Sequence, residues 1–124
     1  MMLDEIGAYL QAQGVGTQTV DIFIGFMPDK PDNCVVLFEY AGNPPDLHWD
    51  GRYPGLQVRV RNKSYLNGRG KIESVITALH GVSETLMGTT RYLLIRAKQD
   101  PQGLGRDSNG RNEWVVNFSV MKEG

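Results

Sequence analysis

Cysteine is almost absent: Cys34 is the single thiol in 124 residues. That excludes an internal disulfide. It also excludes the paired Cys/His spacing of a structural zinc site, because the only histidines, His48 and His80, lie in unlike contexts. A lone thiol fits a reducing compartment, and Cys34 sits in an apolar, strand-like run, so it reads as a buried structural residue. Long apolar runs are also lacking. None approaches the ~20 residues that cross a bilayer, and no charged-then-apolar leader opens the chain. A soluble intracellular product with no membrane partner is the expectation.

Catalytic signatures are missing as well. A Cys34–His80 nucleophilic pair would have to meet in space, but a mid-strand cysteine and a helix-terminal histidine are poorly placed for it. The run GLGRDSNGR has no Gly-Lys-Ser/Thr ending, and a strand rather than a helix follows it, so no helix N-terminus waits for a phosphate. Asp46, Asp50 and Asp107 are carboxylates in loops and read as solvated charges. No enzymatic activity, cofactor or metal is expected.

The length suits a single domain over residues 1–124, and such a chain buries roughly two-thirds of its unfolded surface. The net charge of −1 hides an asymmetry. Residues 1–50 hold eight acids and one base, Lys30, for a balance of −7; residues 51–72 hold six bases and no acid. The remaining residues balance. Such blocks can pair within one fold or across a head-to-tail contact between subunits, or the basic block can face nucleic acid.

Leu3, Ile6 and Leu10 recur at helical spacing, and Gly14 with Gly16 ends the pattern. Residues 20–26 and 34–40 are β-rich runs, and the short Pro28/Pro31 connection between them suggests an antiparallel pair. Residues 41–55 read as a long loop, whose Trp49 is either a packing plug or an interface anchor. Leu56, Val58 and Val60 alternate with Gln57, Arg59 and Arg61, giving a half-buried strand with a basic outer face. Ile72, Val75, Ile76 and Leu79 then mark a helix that ends at His80 and Gly81, where a histidine charge would suit the dipole. Ser64 could cap an earlier start, but Gly68 and Gly70 each cost about 1 kcal/mol in a helix interior, which weighs against the first turns. Residues 90–98 form another strand. Residues 99–112, with three glycines and a polar run, read as a long mobile loop. Trp114, Val116, Phe118 and Val120 line one face of a final strand, which pairs with residues 90–98. The order is α-β-β-β-α-β-β. It predicts an α+β fold: a single mixed, mostly antiparallel sheet of four to five strands, with two helices packed on one face.

Two motifs are specific. One is LGRDSNGR (residues 104–111), followed by Trp114 and then Asn117-Phe118. The other is QVRVRNKSY (residues 57–65), followed by KIESVITALHG (residues 71–81). Together they resemble the minor capsid and tail-terminator (tail-to-head joining) proteins of long-tailed bacteriophages, over roughly the C-terminal two-thirds of the chain. The resemblance implies a structural virion protein, assembled in the bacterial host cytoplasm. It implies self-association head to tail into a ring, hexameric in the virion, with the free protein monomeric until it meets the tail. The ring would cap the tail tube protein and dock it to the head connector protein, with DNA passing through. Leu104, Arg106, Asp107 and Arg111 would then contact a neighbouring subunit. Arg59 and Arg61, both directed away from the core, would face Glu39, an acid of the next subunit, or DNA. The competing readings are a nucleic-acid-binding accessory protein using the basic strand and helix start (57–71) and a small hydrolase or transferase with an unrecognised pocket.

Overall fold

The computed structural model describes residues 1–124. Its elements are α1 (Met2–Ala12), β1 (Ile22–Ile24), β2 (Cys34–Asn43), β3 (Gly51–Asn62), α2 (Tyr65–Leu79), β4 (Val82–Met87), β5 (Thr90–Ala97), β6 (Gln102–Arg106) and β7 (Asn112–Glu123). The sheet runs β1-β2-β3-β7-β5-β4, with β6 on β7 beside β5. The α+β class and the two helices stand as expected. The strand count does not: there are seven rather than four to five.

The two additional strands had weak sequence signals for physical reasons. In β4, Glu84 takes a φ of +48°, so the strand kinks and loses a clean alternation. β6 is glycine-rich and wholly exposed, with no apolar face to reveal it. It nevertheless pairs antiparallel with β7, from Gln102↔Val115 to Arg106↔Asn112. Residues 99–112 are therefore largely a strand and a tight turn. The glycines that suggested a loop serve that hairpin. Gly105 and Gly110 have φ of +89° and +73°, a region that suits glycine. Gly103 lies against the ring of Trp114, where a Cβ would come within 3.2 Å.

β1 and β2 are parallel, not antiparallel. The intervening segment does not turn back at once but travels the length of the pair, and its backbone is held from the side by arginines described below. The expected loop of residues 41–55 is likewise mostly strand, since β2 extends to Asn43 and β3 begins at Gly51.

One sheet face carries the core. Val35 and Leu37 of β2, Val58 and Val60 of β3, and Val116 and Phe118 of β7 are buried there against Ile6 and Leu10 of α1 and Ile72, Val75 and Leu79 of α2. Each such side chain contributes roughly 1.5–3 kcal/mol on burial. α2 lies over β3, β7 and β5, while α1 touches β1 and β2 and also β4. The sheet therefore curls until its two ends meet the same helix.

α2 begins earlier than the glycines suggested. Ser64 Oγ accepts the Asn67 N–H at 3.2 Å, so the cap forms and the first turns are helical. Gly68 has a packing reason to be there: a Cβ at that position would lie 2.9 Å from Trp114 Nε1 and 3.1 Å from Asn62 Cβ. At the other end His80 Nδ1 accepts the Ala97 N–H at 3.0 Å, so this ring ties α2 to β5.

Candidate functional site

The residues singled out from sequence separate into two groups, one spent inside the fold and one free. Arg61 and Arg111 belong to the first. By strand alternation Arg61 shares the helix-free face with Arg59, yet it is only 3% exposed. The segment leading into β2 folds over it and presents its carbonyls. Arg61 Nη2 donates to Pro28 O at 2.6 Å and Pro31 O at 2.7 Å, and Nε donates to Asp32 O at 3.1 Å. Only a guanidinium offers this fan of donors.

Arg111, 5% exposed, clamps the same segment from the turn just before β7. It donates to Asp29 O at 2.7 Å and to Asp107 Oδ2 at 2.7 Å, and it lies 3.4 Å from Asp32 Oδ1. Asp107 also accepts the N–H groups of Asn109 and Arg111, each at 2.9 Å, closing the β6–β7 turn. Arg111 and Asp107 are thus hydrogen-bonded to each other and to the neighbouring segment within one subunit. The environment fixes their charges. The Arg111 backbone N–H and then its guanidinium hold the Asp107 carboxyl below its usual range, against partial desolvation. Desolvation works against the Asp32 charge too, but Lys63, Lys30 and Arg111 together hold it low.

Other charges of the basic stretch are also engaged. Lys63 is 3.3 Å from Asp32, Lys71 donates to Val15 O at 2.6 Å, and Arg69 pairs with Glu73. The two opposed charge blocks thus meet partly inside one subunit. Residues 57–71 do not present a common basic surface, which removes the support for the nucleic-acid reading in the form based on that strand and helix start.

The second group reaches the surface, with Arg59 half-buried and the others exposed. Arg59 donates to Gln57 Oε1 at 3.1 Å and lies 5.9 Å from the Phe38 ring centroid. Glu39 pairs in register with core residue Leu56, so it occupies the opposite face and cannot be the partner of Arg59. Leu104 and Arg106 stand on β6, whose outer edge has no strand partner. Trp49 is partly exposed at the tip of the β2–β3 hairpin, its ring stacked over Gly51. Asp46 orders that tip by accepting the His48 N–H at 3.1 Å and the Tyr53 hydroxyl at 3.2 Å. Beside Trp49 the tip projects Leu47, 93% exposed. A single leucine in a polar loop gave no periodic signal in the sequence.

The remaining chemical candidates are apart. β3 and β7 lie between β2, which bears Cys34, and β5, to which His80 is tied. Burial pushes the Cys34 thiol up, with Arg61 and Arg111 opposing. No group of His, Cys, Asp and Glu is arranged to hold a metal ion, and no helix is long and apolar enough to cross a membrane. What the surface offers is recognition: an open strand edge, an apolar hairpin tip and a helix-free sheet face.

A family model described as "Bacteriophage tail terminator protein" matches residues 9–123. No curated protein matches. Among solved structures, a chain of the "Virion of native gene transfer agent (GTA) particle" superposes with a TM-score of 0.72, at 13% identity, over 96% of this chain and 95% of that one. At that identity the likeness concerns the fold.

Proposed function

This chain belongs to the bacteriophage tail terminator family, a structural and non-enzymatic family of virion components, and from that premise we propose that its copies close into a ring that caps the tail tube and docks it to the head connector. The observation that carries the reading is the family match over residues 9–123. The geometry supports it with surfaces suited to assembly. β6 is an edge strand whose outward N–H and C=O groups are unpaired, and an edge left open is a template for another chain. Leu104 and Arg106 give that edge an apolar and a charged contact.

Each copy acts as one domain. A contact between unlike patches of successive subunits generates a ring when the rotation closes, and hexameric closure is the form proposed here. The hairpin tip with Leu47 and Trp49 lies away from β6 and is free to meet a different partner, the tail tube or the connector.

The test is electron microscopy and mass measurement of the purified protein, alone and with tail tubes. Annuli or capped tubes are expected from the native chain. The double variant L104E/R106E should keep its thermal stability and lose the rings, because both side chains are exposed and outside the core. Retention of rings by that variant would remove β6 from the contact.

A further inference from the structure

The helix-free face of the sheet holds a basic trough with no acidic residue. Two adjoining depressions lie there, of about 350 and 670 Å³, and Lys98 lines both. The smaller contains Tyr40, Gln57 and Asn117; the larger adds Arg96 and Ser119. Neither is lined by Asp or Glu. By contrast, the cleft beside the start of α1 includes Glu39, and the one between α1 and β4 includes Asp4 and Glu5. Strand register places the trough residues side by side. Gln57 pairs with Asn117, and Arg96 with Ser119.

The polar groups here are arranged as donors. Gln57 Nε2 donates to Asn117 Oδ1 at 3.2 Å, leaving the Asn117 amide nitrogen free, and Arg59 borders the trough by donating to Gln57 Oε1. Arg96 has no ion-pair partner, and neither has Lys98, which lies 5.6 Å from the Tyr40 ring centroid. Cations packed along aromatic rings stay extended over the surface and keep their charge outward.

A second copy is a poor source of the matching negative charge. Six of the eight acids of the first 50 residues are already engaged at home. Asp32 faces Lys63 and Arg111, Asp29 faces Arg111, Asp4 faces the N-terminal amine, Asp21 accepts the Thr17 N–H, Asp46 accepts from His48 and Tyr53, and Glu5 accepts from Tyr92 and Thr90.

We infer that the trough of Arg96, Lys98 and Arg59 is a contact surface for the phosphate backbone of nucleic acid. In the proposed assembly the nucleic acid that this surface would meet is the DNA of the joint. The inference rests on that reading for the source of the DNA and on the trough for its chemistry. Recognition would be independent of sequence, since cations and amides aimed at phosphates read no base edges.

The experiment is fluorescence anisotropy of a labelled 30-base-pair duplex against the full-length protein from 20 to 200 mM salt, with the variants R96Q/K98Q and K30Q. Lys30 is an exposed cation away from the trough, so K30Q is the charge control. Each phosphate contact adds about 0.9 to the slope of log affinity against log salt. R96Q/K98Q should therefore flatten the slope by roughly 2 and weaken binding at low salt about tenfold or more, and K30Q should match the native chain. Equal losses in both variants, or no binding at 20 mM salt by subunit or ring, would overturn the inference. So would tighter binding of poly-glutamate than of duplex, lost in R96Q/K98Q, because the surface would then be one for acidic polypeptide. Micrographs of the same variants separate the two proposals. Rings without DNA affinity refute the trough alone; affinity lost in R96Q/K98Q by a chain that never forms rings refutes the ring alone.

Discussion

The Tyr92 hydroxyl donates a 2.8 Å hydrogen bond to the Glu5 carboxylate, joining β5 to α1 across 87 positions of sequence. Thr90 adds a second donor to the same carboxylate at 2.9 Å. These bonds sit where the curled sheet closes on α1, so they report on the curl itself.

Burial, and then the adjacent Glu5 carboxylate, push the Tyr92 hydroxyl far above its ordinary value. The folded state therefore holds a proton that the unfolded chain releases above about pH 10. The stability this gives is fully present below that pH and declines as pH rises beyond it, by at most ~1.4 kcal/mol per pH unit. Urea titrations between pH 8 and 11 should show the decline in the native chain and a shallower one in Y92F.

Arg61 and Arg59 should behave oppositely although they share one face of one strand. R59Q should leave the melting temperature within about 1 °C. R61Q strips the carbonyls of residues 28–32 of their donor and should lower it by at least ~4 °C, about 1 kcal/mol at this chain length. Equal effects, read by differential scanning calorimetry, would contradict the assignment of Arg61 to the interior.

Much of the fold was legible in the sequence because period and burial agree there. Leu3, Ile6 and Leu10 marked α1, and Trp114 to Val120 marked β7. What was missed at the candidate site follows from one limit: alternation gives the face a side chain points to, not what later covers it. Arg61 and Arg111 looked solvent-facing because the segment that buries them is held by its backbone carbonyls, and those carry no sequence signal. For the same reason only Trp49, Leu104 and Arg106 of the proposed interface residues remain exposed, with Arg59 half-buried. β1 looked antiparallel to β2 because a nine-residue connection seldom runs back the full length of a pair.

The acid side of stability rests on the arginine clamp. Asp107 and Asp32 are held below their usual range in the folded state, so their contribution is present above about pH 4 and is lost as pH falls through their lowered values. Thermal melts from pH 7 to pH 2.5 should show a steep drop below pH 4 for the native chain. R111Q should start from a lower melting temperature and show a smaller drop. An unchanged acid profile in R111Q would mean that the clamp does not set these carboxylates.

Two glycines of α2 should respond with opposite signs. G68A must push the helix away from Trp114 and Asn62 and should cost roughly 1–3 kcal/mol, as overpacking does. Nothing lies within 4 Å of a Cβ at Gly70, so G70A should stabilise by up to ~1 kcal/mol through helix propensity alone. Chemical denaturation of both variants checks the close approach of α2 to the sheet.

The most direct measurement is negative-stain electron microscopy of the purified chain mixed with tail tubes, paired with light scattering of the protein alone over a hundredfold concentration range. The expected result is annuli, or tubes ending in a single added ring, with L104E/R106E giving neither while melting like the native chain. A protein that stays monomeric at every concentration and leaves tube ends bare would contradict the ring.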